Sequence, residues 1–143
     1  MVRLIIKKKM QPKILIIDDD RDIVEALKII LEGESYRVKV AFDGQTGFKA
    51  IQEEKPDLVI LDLLLPGQNG VAIYRNLKAH LEYRDIPVLV LTALAKKMGD
   101  RIFSQKEEIL LKGVDGYLDK PVNPRRLLDR VKKLLGEKSE EGN

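Results

Sequence analysis

Three short, uninterrupted apolar runs restrict the fold of this chain more than any other feature of its sequence. They cover residues 14–17, 58–61 and 88–91. A run of this length is too short for a buried helix and is typical of a β-strand that is covered on both faces. We therefore expect a sheet at the centre of the core. A polar residue follows each run directly: Asp18, Asp62 and Thr92.

Segments with helical periodicity separate these runs. The clearest begins after Asp20, which can cap a helix, and reaches Gly33, which can end one. Its apolar residues recur at helical spacing: Ile23, Val24, Leu27, Ile30 and Leu31. The same reasoning predicts helices over about 44–55, 70–81, 97–112 and 124–135, and weaker strands over 37–42 and 116–118. Such alternation predicts an α/β fold, a five-stranded parallel sheet with right-handed crossovers and helices on both faces.

Composition and charge exclude several classes of protein. The chain has 143 residues, the size of one ordinary domain. It has no cysteine, and therefore no disulfide or thiolate metal site. No apolar run approaches the length of about 18 residues that suggests a membrane span. The basic N-terminal residues follow an apolar segment instead of preceding it, unlike a secretory signal, so we expect a cytoplasmic protein. A net charge of +3 with both signs mixed gives no reason to expect direct binding to nucleic acid.

The residues that follow the strands are the types that phosphoryl transfer requires. Because the carboxyl ends of parallel strands share one edge of a sheet, we expect these side chains to meet there. Clustered carboxylates repel one another, and a hard divalent cation such as Mg²⁺ relieves that repulsion. A lysine and a hydroxyl beside the metal suit a phosphoryl anion, and the central carboxylate, Asp62, is the candidate nucleophile. The set consists of Asp18, Asp19 and Asp20 after the first strand, and Asp62, Thr92 and Lys120 after the third, fourth and fifth.

Five motifs occur in a fixed order along the chain: Lys13–Asp20, Pro56–Asp62, Leu65–Gly70, Ile86–Ala93 and Gly116–Pro121. Together they resemble the response-regulator receiver domain of two-component signalling, which has the flavodoxin-like (βα)5 fold of the chemotaxis receiver. The resemblance covers residues 13–136, nearly the whole chain. It leaves a basic N-terminal arm at residues 1–12 and a polar C-terminal tail at residues 137–143.

The resemblance implies a role for each residue of the acidic edge. Asp62 would accept a phosphoryl group, and Lys120 would pair first with Asp62 and then with the phosphoryl oxygens. Asp19 would be a direct ligand of Mg²⁺ or Mn²⁺ together with Asp62, and Asp18 would act on the metal through water. The backbone carbonyl of Leu64 would complete the ligands that the protein provides.

The resemblance also implies a switch. Thr92 would move to hydrogen-bond to the phosphoryl group, and Tyr117 would turn inward as it does so, changing a surface near the fourth and fifth helices. The chain departs from the family at this point. Its segment between Thr92 and Lys120 is longer than usual by about one and a half helical turns, with the extra residues around 96–108. The output geometry is therefore not carried over from the resemblance.

The implied function is that of a phosphoacceptor in a two-component or phosphorelay system. A sensor histidine kinase or a histidine phosphotransfer protein would donate the phosphoryl group. The phosphorylated chain would then act on a downstream protein, as a monomer or a phosphorylation-linked dimer, with no contact to a membrane. It would assist its own phosphorylation and dephosphorylation without being an enzyme for an external substrate.

Two other readings remain open from the sequence. One is a receiver-like scaffold that acts without phosphorylation, which the complete set of acids, threonine and lysine disfavours. The other is an enzyme on a similar sheet. A haloacid-dehalogenase-type phosphatase would need an aspartate where Leu64 stands, and a P-loop enzyme would need a glycine-rich loop after the first strand. The only histidine, His80, is predicted at the end of the third helix, as a helix-terminal cation and not a phosphorelay residue.

Overall fold

A computed structural model of the chain describes residues 11–63, 65, 70–92 and 113–137. The predicted parallel sheet lies at the centre of this structure. Five parallel strands lie in the order β2-β1-β3-β4-β5, so the sheet has β3 at its middle. The strands are β1 (Lys13–Ile17), β2 (Arg37–Ala41), β3 (Leu58–Asp62), β4 (Val88–Thr92) and β5 (Gly116–Asp119). The described helices are α1 (Arg21–Gly33), α2 (Gly44–Glu54), α3 (Gly70–Ala79) and α4 (Pro124–Leu134).

Helices cover both faces of the sheet, as predicted. Alternate residues of each apolar run point to opposite faces, so every run contributes to two cores. One core lies under α2 and α3, where Leu15, Val59 and Val90 pack with Ile51 and Leu77. The other lies under α1 and α4 and combines residues of the strands with the apolar faces of both helices: Ile14, Ile60, Leu89, Leu27, Leu31, Leu127 and Val131.

Local capping chemistry sets the helix ends. The Asp20 carboxylate accepts hydrogen bonds from the backbone N–H groups of Asp22 and Ile23, so it caps α1 as expected. The third helix ends at Ala79 and not near Leu81, because residues from His80 onward form turns, with the Arg84 N–H donating to the His80 carbonyl at 2.8 Å. The helix predicted over 97–112 lies outside the described residues. Among the helices described, none has both the length and the apolar character needed to cross a membrane.

The C-terminal end of the described chain is attached to the sheet edge. Glu137, which begins the predicted tail, accepts a hydrogen bond of 2.7 Å from the Tyr36 hydroxyl. Lys132 of α4 also lies 3.6 Å from the Glu34 carboxylate, at the end of α1. These contacts fix α4 beside α1, and they therefore fix the direction in which α4 leaves β5.

The closest approach of α2 to the sheet depends on Gly47. A Cβ atom at this position would lie 2.7 Å from Cδ1 of Ile17 and 3.0 Å from its Cγ1 and Cγ2. Ile17 is fully buried in β1, directly before Asp18. A larger residue at position 47 would therefore push α2 away from the strand that carries the acidic edge.

We expect Gly47→Ala to lower the free energy of unfolding by about 1–3 kcal/mol, because the clash with Ile17 outweighs the helix propensity of alanine. Chemical denaturation would measure the change. Gly33→Ala is the matched control: Gly33 also lies in a helix, but a Cβ atom there meets nothing within 4 Å. Equal effects of the two substitutions would contradict the close-packing explanation.

Candidate functional site

The sheet brings the polar strand ends together at one edge. Asp62 is the last residue of the central strand, and its neighbours in the sheet are β1 and β4. Asp18 follows β1 directly, and its N–H donates to the Ala41 carbonyl at 3.1 Å. Thr92 ends β4 and lies in register with Asp119 of β5, directly before Lys120. The parallel topology thus assembles residues that are far apart in the sequence.

Three carboxylates form the acidic part of this site. One carboxylate oxygen from each of Asp18, Asp19 and Asp62 lies within 4.8 Å of the others. Asp18 and Asp62 are buried, whereas Asp19 is exposed. Asp20 belongs to the same sequence run, but its side chain caps α1.

Lys120 is the cation of the site. Its Nζ atom lies 3.0 Å from Oδ2 of Asp18 and 3.2 Å from Oδ2 of Asp62, and its side chain is 17% exposed. Its backbone N–H donates to the Thr92 carbonyl at 2.8 Å, which extends the β4–β5 pairing up to the lysine. The contact with Asp62 satisfies hydrogen-bond geometry, whereas the contact with Asp18 is an ion pair without that alignment.

The electrostatics of the site disfavour the ionised form of Asp18. Burial and the nearby Asp62 carboxylate raise the pKa of Asp18 to about 6, against the opposing effects of the Asp20 N–H and of Lys120. Burial alone would lower the pKa of Lys120, but the contacts with Asp18 and Asp62 outweigh it and raise that pKa. The described site thus contains one ammonium group and three carboxylates, of which two are buried and one is exposed.

A hard divalent cation fits this donor set. Carboxylate oxygens are the ligands that Mg²⁺ prefers, and a cation among them would offset the burial and the repulsion from Asp62 that raise the pKa of Asp18. The buried Oδ2 atom of Asp18 lies 3.0 Å from the Lys120 ammonium, so a cation at this site would share the negative charge of Asp18 with Lys120. Leu64, whose carbonyl was predicted as a further ligand, lies outside the described residues.

Thr92 and Tyr117 lie on neighbouring strands and differ in exposure. The Thr92 side chain is fully buried, and among the described residues its hydroxyl has no hydrogen-bond partner. Tyr117 is 45% exposed and lies in register with Val90 of β4. A buried hydroxyl that makes no hydrogen bond costs free energy in that state. Such a group calls for an explanation, and a hydrogen bond formed in another state of the protein would provide one.

The close packing of Gly70 against the backbone of Asp62 and Leu63 was not predicted from the sequence. A Cβ atom on Gly70 would lie 2.5 Å from the Asp62 carbonyl oxygen and 2.5 Å from Cα of Leu63. The Gly70 N–H donates to the Leu63 carbonyl at 3.0 Å. The start of α3 therefore packs directly on the backbone that carries Asp62. A glycine at a helix start is the only sequence signal for such an approach.

His80 lies apart from the acidic edge. Its ring stacks on Tyr83 with a centroid distance of 4.5 Å, and its Nδ1 atom accepts the Glu82 N–H at 3.3 Å. These contacts are in the turn after α3, at the opposite end of that helix from Gly70.

Comparisons with known proteins agree with this architecture. The family model for the response regulator receiver domain matches residues 14–132. The DNA-binding response regulator MtrA of Mycolicibacterium paratuberculosis is 37% identical over 132 residues, which cover 92% of this chain and 55% of MtrA. The chain thus spans about half the length of this relative.

Two solved structures are similar as well. A CheY-like receiver domain from Methanospirillum hungatei shares 33% identity with a TM-score of 0.74, covering 88% of this chain and 94% of that one. The receiver domain of a signal transduction histidine kinase from Syntrophus aciditrophicus shares 30% identity with a TM-score of 0.75, covering 91% and 96%. With its parallel sheet and its aspartates, threonine and lysine at the strand ends, the chain belongs to the response-regulator receiver-domain family.

Proposed function

We propose that residues 13–136 act as the receiver of a two-component or phosphorelay system, with Asp62 as the phosphoacceptor. The observation that carries this assignment is the Lys120 ammonium, which lies within ion-pair distance of both Asp62 and Asp18 at the carboxyl edge of the sheet. Such an arrangement suits an incoming phosphoryl group, whose oxygens need positive charge close to the accepting carboxylate.

In the proposed reaction, an Asp62 carboxylate oxygen attacks the phosphorus atom of a phosphohistidine. The new P–O bond forms as the P–N bond breaks, and the leaving imidazole keeps the electron pair and takes a proton from water. Lys120 orients the carboxylate before the attack and stays within reach of the phosphoryl oxygens after it. The donor is therefore a sensor histidine kinase or a histidine phosphotransfer protein.

Asp18, Asp19 and Asp62, with the Leu64 carbonyl, would hold Mg²⁺ or Mn²⁺ in this proposal. When bound, the metal supplies positive charge that neutralises the phosphoryl oxygens. Asp19 would bind the ion from the exposed side of the cluster, and the buried Asp18 would act on it through water.

Thr92 and Tyr117 form the proposed switch. The Thr92 hydroxyl gains a hydrogen-bond acceptor when the phosphoryl group arrives, so the phosphorylated form favours its movement toward Asp62. Displacement of Thr92 frees space near β5 into which the exposed Tyr117 ring turns. The result is a changed surface for a downstream protein. DNA binding is stated for MtrA as a whole, of which this chain matches about half.

Incubation with Mg²⁺ and acetyl phosphate is expected to add one phosphate mass to the wild-type chain and none to Asp62→Asn, because the amide cannot form the acyl phosphate. Intact mass spectrometry measures the addition. Asp119→Asn is the matched control, since Asp119 is an exposed carboxylate on the same sheet edge. Labelling of Asp62→Asn at the wild-type level would disprove the assignment.

Binding of Mg²⁺ is expected to weaken in acid, because Asp18 must lose its proton to act as a ligand. With the Asp18 pKa raised to about 6, the apparent Kd should rise about tenfold per pH unit below pH 6 and stay nearly constant above pH 7. Isothermal titration calorimetry across this range measures it. A Kd that does not change between pH 5 and 7 would contradict the role of Asp18.

The same ionisation makes the metal-free protein less stable as pH rises. The unfolded chain releases the Asp18 proton near 3.8, whereas the folded chain holds it to about 6. Stability from this group is therefore present below pH 3.8 and is lost as pH rises through 6. Mg²⁺ at saturating concentration should remove this loss, and thermal unfolding with and without the ion would detect the difference.

We expect Thr92→Val to stabilise the unphosphorylated protein by about 1 kcal/mol, because the substitution keeps the volume and removes a buried hydroxyl that has no partner among the described residues. The same variant should still be phosphorylated on Asp62 but lose the phosphorylation-dependent change in Tyr117 fluorescence or NMR shifts. Thr92→Ser, which keeps the hydroxyl, should retain that change. A full Tyr117 response in Thr92→Val would contradict the switch.

A further inference from the structure

The side chain of Lys78 joins parts of the fold that lie at the opposite edge of the sheet from the acidic site. Its Nζ atom donates to the Arg84 carbonyl at 3.1 Å, to the Ile86 carbonyl at 3.0 Å and to the Asp115 carboxylate at 2.9 Å. These acceptors use all three donors of an ammonium group. The same Asp115 oxygen accepts the Val88 N–H at 2.8 Å, where β4 begins. Lys78 and Asp115 thus connect the end of α3 to the starts of β4 and β5.

The first residue of α3 packs on the backbone that carries Asp62. A Cβ atom on Gly70 would lie 2.5 Å from the Asp62 carbonyl oxygen, and the Gly70 N–H donates to the Leu63 carbonyl at 3.0 Å. Along the helix, Gly70 and Lys78 are separated by about 12 Å, at 1.5 Å for each residue. The helix therefore holds Lys78 at a fixed distance from the acidic edge.

The position of β5 depends on such an attachment more than that of a central strand. This strand has four residues, Gly116–Asp119, and lies at the end of the strand order, where it pairs with β4. The central strand β1, in contrast, pairs with β2 on one side and β3 on the other. A strand with one partner makes fewer contacts that fix its position, so its local displacement costs less. Because Lys120 follows β5 directly, a displaced strand would carry the ammonium group away from Asp62.

We propose that Lys78 and Asp115 are positioning residues for phosphoryl transfer: they fix the start of β5 and thereby hold the Lys120 ammonium against Asp62. This inference rests on the proposed function of Asp62. The contacts form a closed ring, in which α3 leads from Asp62 to Lys78 and β5 leads from Asp115 to Lys120. The ring closes where Lys120 Nζ lies 3.2 Å from the Asp62 carboxylate. Lys78 and Asp115 act through Lys120 and are not catalytic residues.

The first test is the rate at which acetyl phosphate labels Asp62 at saturating Mg²⁺ in Lys78→Met, which keeps an unbranched side chain and removes the ammonium. We expect the rate to fall at least about fivefold, because Lys120 is no longer held beside the carboxylate. The Kd for Mg²⁺ should also fall, since an ammonium that leaves the carboxylates no longer opposes a second cation. General destabilisation does not predict slower labelling together with tighter metal binding.

A double-mutant cycle tests whether Lys78 acts through Lys120. Lys120→Met should slow labelling by itself, and adding Lys78→Met should then change the rate by less than about twofold, because the group that Lys78 positions is already gone. Amide hydrogen exchange gives a second readout. The Lys120 N–H, which donates to the Thr92 carbonyl at 2.8 Å, should exchange faster in Lys78→Met. Asp115→Asn should cause the same changes to a smaller degree, since its amide oxygen can still accept the Val88 N–H.

The matched control is Lys13→Met. Lys13 is also a partly buried lysine, and its Nζ atom donates to the carbonyl and the carboxylate of Glu54 at 3.1 and 3.0 Å. It belongs to β1, which has a neighbouring strand on each side, so its loss should destabilise the fold without moving Lys120. Labelling of Lys13→Met should stay within about twofold of wild type, because the contacts of Lys120 remain. Thermal unfolding measures how far each variant is destabilised.

Slow labelling and fast Lys120 exchange in Lys78→Met, with neither change in Lys13→Met, support the positioning role. Wild-type labelling of a folded Lys78→Met would overturn it, as would weaker Mg²⁺ binding, equal slowing in both lysine variants or additive slowing in the double mutant. Should Lys78→Met not fold, the same comparisons in Asp115→Asn decide. Failure of acetyl phosphate to label the wild-type chain would instead count against the proposed function of Asp62.

Discussion

The contact of one ammonium group with two buried carboxylates governs the acidic edge of this protein. The Nζ atom of Lys120 lies 3.0 Å from the Asp18 carboxylate and 3.2 Å from the Asp62 carboxylate. Among the described residues, Lys120 is the cation that forms ion pairs with both. The ion pairs make the burial of the two acids tolerable, but they do not neutralise the cluster, since burial and Asp62 still raise the pKa of Asp18 to about 6. The edge therefore holds more acidic groups than cations among the described residues, a charge balance that would suit a further cation.

Much of the fold could be predicted because its strands are apolar on both faces. Uninterrupted runs such as 58–61 have few alternative structures, and their alternation with periodic helices fixes a parallel sheet. The site followed from the same topology, since parallel strands end at one edge and Asp18, Asp62 and Thr92 each come at a strand end. Their positions at the strand ends predicted that these side chains share one edge, without any knowledge of distances, although Asp20 of the same run caps α1 instead.

The remaining features depend on contacts that leave little trace in one sequence. Gly47 and Gly70 read as ordinary helix residues, yet each marks a point where a helix packs so closely that a Cβ atom would clash. The sequence predicts the end of α3 two residues too late, because hydrogen bonds in the turn after His80 replace those of a continued helix. The exposure of Tyr117 and the lack of a partner for the Thr92 hydroxyl among described residues also required coordinates.

The places where this chain departs from the most stable arrangement coincide with the places that its proposed function uses. Two buried carboxylates repel each other, and a buried hydroxyl lacks a described partner. Both features lie at the carboxyl edge of the sheet, whereas the opposite edge holds paired groups such as Lys78 with Asp115 at 2.9 Å. A metal ion would relieve the first and a phosphoryl group would satisfy the second. Local instability at this edge would be the physical basis for the proposed response to ligands, since binding would relieve it.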